Sequence, residues 1–167
     1  MAEDKIDGNA ANGSGEAVAG MPQLLLNAQY VKDLSFENPR APQSLIQPKA
    51  QPEVSIEVDV KAGNLAPDVY EVTLTISAEA KAAGESVFIV ELAYAGVVTV
   101  KNATQDMVTA LILVETPRLL FPFARGIIAT ATRDGGFPPL LINPIDFAEL
   151  LRRRQAQGQQ PGATAIA

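Results

Sequence analysis

Between residues 53 and 60 apolar and polar side chains alternate without a break: Val54, Ile56, Val58 and Val60 against Glu53, Ser55, Glu57 and Asp59. The same period returns at 70–77, where Tyr70, Val72, Leu74 and Ile76 alternate with Glu71, Thr73, Thr75 and Ser77. It recurs less cleanly at 24–36, with Leu24, Leu26, Ala28, Tyr30, Leu34 and Phe36 on the apolar side and Lys32 as the exception. Side chains of a strand point alternately to opposite faces, so these patterns predict half-buried strands with one wet face. Residues 86–100, SVFIVELAYAGVVTV, are apolar on both faces with Glu91 as the sole charge. Such a strand needs cover on its second side or a partner there.

The links between these segments separate hairpins from a crossover. AGNLAPD (62–68) and KAAGE (81–85) are short and contain glycine, which suits hairpins. The segment 38–52 is long and carries Pro39, Pro42, Pro48 and Pro52. Loops of that length are usually functional; the plain alternative is a crossover between non-adjacent strands. Beyond residue 102 the period becomes helical at Met107, Ala110, Leu111 and Val114. Thr116-Pro117 reads as an N-cap followed by proline at the first helical position, and Pro122 as a kink or restart. Gly135-Gly136 reads as a C-cap. Asn143-Pro144 is expected to open a last helix with Phe147, Leu150 and Leu151 as its apolar stripe. Strands first and helices after predict an α+β domain: a four-stranded antiparallel sheet with helices packed on one face.

Composition narrows what such a domain can do. The chain has 167 residues, 47% of them hydrophobic and only 19% charged. A single domain of this size buries about 70% of the surface its unfolded chain exposes, so the remaining apolar surface favours association of subunits. A net charge of −6 argues against nucleic acid as a partner. The one basic run, Arg152-Arg153-Arg154, is expected to complement a helix C-terminus. With neither cysteine nor histidine, disulfides, thiolate nucleophiles, Cys/His zinc sites and a Ser-His-Asp triad are all excluded. Residues 1–22 and 155–167 read as disordered tails around a 23–154 domain. Glu3, Asp4 and Asp7 stand where a signal peptide needs positive charge. The longest apolar run, ALILV at 110–114, is too short to span a bilayer, so a soluble protein that does not insert in the membrane is expected.

Candidate chemistry is sparse. Asp33 and Glu37 are four apart on a strand and point the same way, but paired carboxylates need a pocket that separates their pKa values. A wet strand face is not such a pocket, and a hard cation wants more oxygens than this pair supplies. Neither a metal nor a cofactor is expected. What remains is an outward acidic surface of Asp33, Glu37, Glu53, Glu57, Asp59 and Glu71, suited to attracting a basic partner. The plain alternative is solubility and protection of an exposed sheet.

The segments YVKDLSFENPRAP, QPEVSIEVDV, DVYEVTLTI and LLFPFARGIIATATRDGGFPPLLINPIDFAEL, in that order, resemble the SecB family of protein-export chaperones over residues 24–155. The resemblance implies a cytoplasmic, ATP-independent holdase that keeps preproteins unfolded and delivers them to the translocation ATPase SecA. It also implies a homotetramer, a dimer of dimers with helices sandwiched between sheets. SecA-docking positions carry over onto Asp33, Glu37, Ile89 and Glu91. The client groove carries over onto Val54, Ile56, Val58 and Phe88, with Leu45 and Ile46 from the crossover loop. Positions linked to tetramer stability fall on Val90, Leu92 and Tyr94. The chain departs from the family in PKAQPEV, where Lys49 and Ala50 stand in place of a common aromatic residue. A SecB-like chaperone specialised for a client such as a toxin–antitoxin system is the alternative, and a small acid-dependent enzyme using Asp33 and Glu37 is the rival from another class.

Overall fold

The computed structural model describes residues 20–48 and 50–158. Four strands, β1 (Gln23–Glu37), β2 (Glu53–Ala66), β3 (Val69–Ala82) and β4 (Glu85–Lys101), form one antiparallel sheet in the order β1-β4-β3-β2. The segment from 38 to 52 therefore joins the two opposite edges of the sheet. It is not structureless, because Gln43–Ile46 form a single helical turn, α1. The hairpins are tighter than the glycine-containing segments suggested. Each turns in two residues, Pro67–Asp68 and Ala83–Gly84, with Asp68, Ala83 and Gly84 all at positive φ.

On β2 and β3 the alternation read from the sequence holds position by position. Val58, Val60, Val72, Leu74 and Ile76 share the face that carries the helices, while Glu57, Asp59, Glu71, Thr73 and Thr75 share the other. β1 corrects the expectation of one uninterrupted period. Its pairing with β4 slips between Leu26 and Ala28 and again between Val31 and Asp33, leaving Asn27 and Lys32 as extra residues. A β-bulge of one residue reverses the parity of everything beyond it. Leu24, Leu26, Leu34 and Phe36 thus lie on the helix side, but Ala28 and Tyr30, between the bulges, turn outward, contrary to the simple alternation.

The helical half is also more continuous than the sequence suggests. α2 (Gln105–Ala110) begins at Thr104, whose side chain accepts from the Met107 amide. It runs through a π-helical turn (Leu111–Glu115) into α3 (Thr116–Asp134) without a break. Thr116 is therefore not an N-cap: its backbone is helical, and its hydroxyl donates to the Leu111 carbonyl at 2.8 Å. Proline at 117 brings no N–H and crowds the carbonyl four residues back, and widening the preceding turn to a π-turn accommodates this. Pro122 is accepted within α3 on its exposed side, where water can satisfy the freed carbonyl. The C-terminus is closed as expected, by the bonds Gly136 N to Arg133 O and Phe137 N to Thr132 O with Gly136 at φ +92. α4 (Phe147–Ala156) is opened by Asp146, which accepts from the Glu149 amide at 3.0 Å, and not by Asn143-Pro144. It extends to Ala156, two residues into the segment read as a tail; residues 1–19 and 159–167 of the expected tails lie outside the described residues.

One core fills the space between sheet and helices: Leu74, Ile76, Val90 and Leu92 from below, Leu120, Phe121, Ala124 and Ile128 from above, with Phe147 of α4 at one side. Each fully buried Leu, Ile or Phe side chain contributes about 1.5–3 kcal/mol. The buried Thr132 is satisfied twice, donating to the Ile128 carbonyl and accepting from the Leu140 amide at 2.9 Å, and so straps the chain after Gly136 back onto α3. By length and composition alone residues 105–134 could cross a bilayer, with an 18-residue window of mean hydropathy 1.5. The run ALILV understated this, because the helix is continuous where the sequence suggested a break. One side of it packs on the sheet, and Leu119 and Phe123 remain exposed on the other.

Candidate docking and client surfaces

The register of the sheet assembles the acidic face row by row. Glu37 lies opposite Ile89, Ser35 opposite Glu91 and Asp33 opposite Ala93. Across β4 the same rows continue to Glu79, Ser77 and Thr75 of β3, and then to Ser55, Glu57 and Asp59 of β2. The four positions expected to dock a partner, Asp33, Glu37, Ile89 and Glu91, are therefore neighbours on one outward patch. Ile89 is half-buried in it and Glu91 exposed. Asp33 and Glu37 stand two rows apart on an open surface, so no pocket joins them for acid–base work.

Glu71 and Asp59 of the acidic face are engaged by residues of other elements. Glu71 receives Lys32 Nζ at 2.5 Å on one carboxylate oxygen and the Tyr30 hydroxyl on the other. Both donors come from β1 and reach over β4. The hydrogen bonds from Lys32 and then Tyr30 hold the Glu71 carboxyl below its ordinary range, and the bond to Glu71 pushes the Tyr30 phenol up to about 12. At the other edge Arg154 of α4 donates to the Asp59 carboxylate and to the Val60 carbonyl at 2.8 Å. The basic run thus divides its work: Arg152 and Arg153 pair with Glu149 within α4, and Arg154 ties the helix to the rim of β2. Burial lowers the Arg154 pKa from its ordinary value.

The other face carries the expected groove residues. Val54, Ile56 and Val58 stand in register with Ala80, Ala78 and Ile76, and Phe88 adjoins Ala80. Val54 and Ile56 are 40% exposed, because the long helix does not reach over that end of β2. Phe88, in contrast, is buried: it stacks with Phe36 at 5.9 Å and meets Phe137 at 5.0 Å. Phe36 lies against Gly135, and the Leu45 side chain lies against Gly136. Asn38 holds this corner together, donating to the Gly135 carbonyl at 3.1 Å and accepting from Ser44. Leu45 and Ile46 of α1 remain exposed above it. Phe137, Asn38 and the two glycines were not singled out from the sequence as site residues; the GGFPPL segment was the available signal.

Val90, Leu92 and Tyr94 lie on the helix side, buried beneath α3 in the single chain. Tyr94 stacks on the exposed Phe123, with ring centroids 6.4 Å apart. The two rings border an open groove of about 630 Å³ lined also by Leu34, Pro122, Gly126 and Ile127. Among the described residues no group of three Asp or Glu side chains gathers as a metal site.

Comparison with known proteins places this geometry. The family profile of preprotein translocase subunit SecB matches residues 17–158. The chain is 54% identical to the protein-export protein SecB of Rhodopseudomonas palustris strain BisB5, over 90% of this chain and 98% of that one. It is 50% identical to the protein of the same name from Bradyrhizobium diazoefficiens, over 90% and 96% of the two chains. Among solved structures, a SecB-like chaperone of Mycobacterium tuberculosis in complex with an antitoxin peptide superposes with a TM-score of 0.61. That match covers 73% of this chain and 90% of that one at 14% identity, which shows a shared fold.

Proposed function

The chain belongs to the SecB family of protein-export chaperones, and from that premise we propose that its two sheet faces divide the work of a cytoplasmic holdase. It is a chaperone and not an enzyme. Unfolded preproteins are held on the apolar side around Val54, Ile56, Leu45 and Ile46, with the Phe36–Phe88–Phe137 cluster as a floor. SecA docks on the outward patch of Asp33, Glu37, Ile89 and Glu91. The observation that carries this reading is the segregation of chemistry by register: acids of four strands in adjoining rows on one face, apolar side chains on the other.

Assembly as a dimer of dimers is part of the proposal. β1 is a 15-residue edge strand with Leu25, Val31 and Leu34 exposed, and an open apolar edge of that length invites pairing. Leu119 and Phe123 offer a second apolar surface on α3. Magnitudes favour several grooves acting together. Burying ~1,000 Å² of apolar surface gains roughly 25 kcal/mol, while ordering ~15 client residues costs about as much at roughly 1.5 kcal/mol each. A multi-point contact spread over an oligomer supplies the surplus. The relatives near 50% identity are protein-export proteins, which favours export over an antitoxin client.

Light scattering on a sizing column, with and without a slow-folding preprotein diluted from denaturant, tests the holdase. About four chain masses, shifting with the unfolded client and not with the folded one, is the expected result. A monomer that binds neither overturns it. Calorimetry tests the docking patch separately: Asp33→Lys with Glu37→Lys is expected to abolish SecA binding at low salt while the oligomer persists, and unchanged affinity overturns the assignment.

A further inference from the structure

The bulge at Lys32 decides which way Asp33 points. Tyr30 and Asp33 are three residues apart, so a regular strand would place them on opposite faces; with Lys32 as the extra residue, both face outward, opposite Ala95 and Ala93. The half of β1 beyond the bulge is anchored from the helix side by Phe36, stacked on Phe88. The stretch between the two bulges is anchored from the outer side, because Tyr30 within it and Lys32 at its end both reach across β4 to Glu71. Alanine at 95 makes that crossing possible: it is the register partner of Tyr30, small, and fully buried although it lies on the outer face. Both Glu71 oxygens are occupied, and Glu71 is the more buried partner of the Lys32 pair, 24% against 50% exposed.

We propose that Glu71 is a positioning residue for the docking patch, holding Lys32 and Tyr30 so that the bulge stays at 32 and the Asp33 carboxylate stays outward. The proposal rests on the docking reading above. Glu71 itself is withdrawn from the partner: its charge is matched by Lys32, and each of its oxygens already has a donor. With Glu71 lost, the Lys32 ammonium is freed beside Asp33, and the bulge loses its outer anchor. The extra residue can then migrate along β1, since the side chains held on the two faces are what specify register away from the turns. The lowered Glu71 and raised Tyr30 pKa values agree with a network that keeps its charge state around neutrality.

A double-mutant cycle on the full-length chain tests this, with SecA affinity by calorimetry and amide exchange at residues 31–34 as readouts. Asp33→Asn and Glu71→Leu are each expected to weaken binding about tenfold, the scale of one charged contact, and the double variant hardly more, because both act through one carboxylate. Faster exchange at 31–34 in Glu71→Leu, with the oligomer unchanged, is expected as well. Glu71→Gln, which keeps the side-chain length and one acceptor, guards against loss of the fold and should fall between. Lys32→Arg should retain binding where Lys32→Met does not. Additive losses would mean that Glu71 meets the partner directly and would overturn the proposal, as would unchanged exchange. If Asp33→Asn weakens binding and Glu71→Leu does not, the proposal alone has failed. If Asp33→Asn binds as the parent does, the docking reading has failed and takes the proposal with it.

Discussion

Arg154, in the last turn of α4, donates to the carboxylate of Asp59 at the rim of β2, 95 positions earlier in the chain. The second bond of the same guanidinium, to the Val60 carbonyl, occupies a backbone acceptor of β2, an edge strand paired on one side only, with β3. One side chain thus closes part of the open edge and docks the C-terminal helix. Charge-assisted bonds of this kind contribute about 1.5–3 kcal/mol when shielded, and the half-exposed Asp59 reduces that. Arg154→Ala is expected to lower the urea midpoint by an amount worth about 1 kcal/mol and to speed amide exchange in α4. Exchange unchanged in α4 would mean that the apolar stripe through Phe147 holds the helix alone.

Gly135, at the end of α3, is required by its neighbour on the helix-side face of β1. A Cβ there would lie 2.2 Å from Cζ of Phe36, whose ring is fixed by Phe88 and Phe137. Gly135→Ala is expected to cost about 1–3 kcal/mol by overpacking and to weaken client capture by displacing the aromatic floor. Chemical denaturation and a refolding-arrest assay measure the two effects. Unaltered stability would show that the aromatic cluster can shift freely.

Ala83 occupies the first place of a two-residue turn at φ 52, followed by Gly84 at φ 76. Both central residues are left-handed, as the twist of a β-hairpin favours. Alanine bears this at a cost of roughly 1–2 kcal/mol, which asparagine largely escapes. Ala83→Asn is therefore expected to stabilise the chain by about 0.5–1 kcal/mol, read as a raised melting temperature with client binding unchanged. A lowered melting temperature would argue against the turn geometry.

The Tyr30–Glu71 bond makes an alkaline prediction. Tyr30 is pushed from 10.0 to about 12, by the hydrogen bond to Glu71 first and by burial and the Glu71 charge after it. A group whose pKa is higher in the folded chain contributes stability that is complete below its unfolded value and lost as pH rises through the folded one. The Tyr30 contribution should therefore be complete below about pH 10 and fade towards 12. Ultraviolet titration of tyrosinate should show a late phase that Tyr30→Phe removes. Glu71, whose pKa is lowered by Lys32 and then Tyr30, behaves oppositely: its contribution is present above its ordinary value of 4.5 and is lost in acid.

The sequence by itself determined the faces of β2 and β3, with Glu57 and Glu71 outward, and the Gly136 cap; Asp33 and Glu37 match simple alternation because the two bulges of β1 cancel. Regular strands alternate rigidly, and a positive-φ glycine has few other uses, so these readings are local. It also carried the family, through motifs spread over most of the chain. Only the tertiary structure decided where β1 changes parity, because a bulge is set by which residues of β4 and β3 receive the side chains around it. The Thr116-Pro117 signal is real locally, but the core claims both of its flanks, and a π-turn is a smaller cost than ending the helix. The engagement of Asp59 by Arg154, of Glu71 by Lys32 and of Gly135 by Phe36 joins residues 39 to 99 positions apart. No local pattern encodes such pairs: they exist because the layers meet at a given register, and packing alone sets that register.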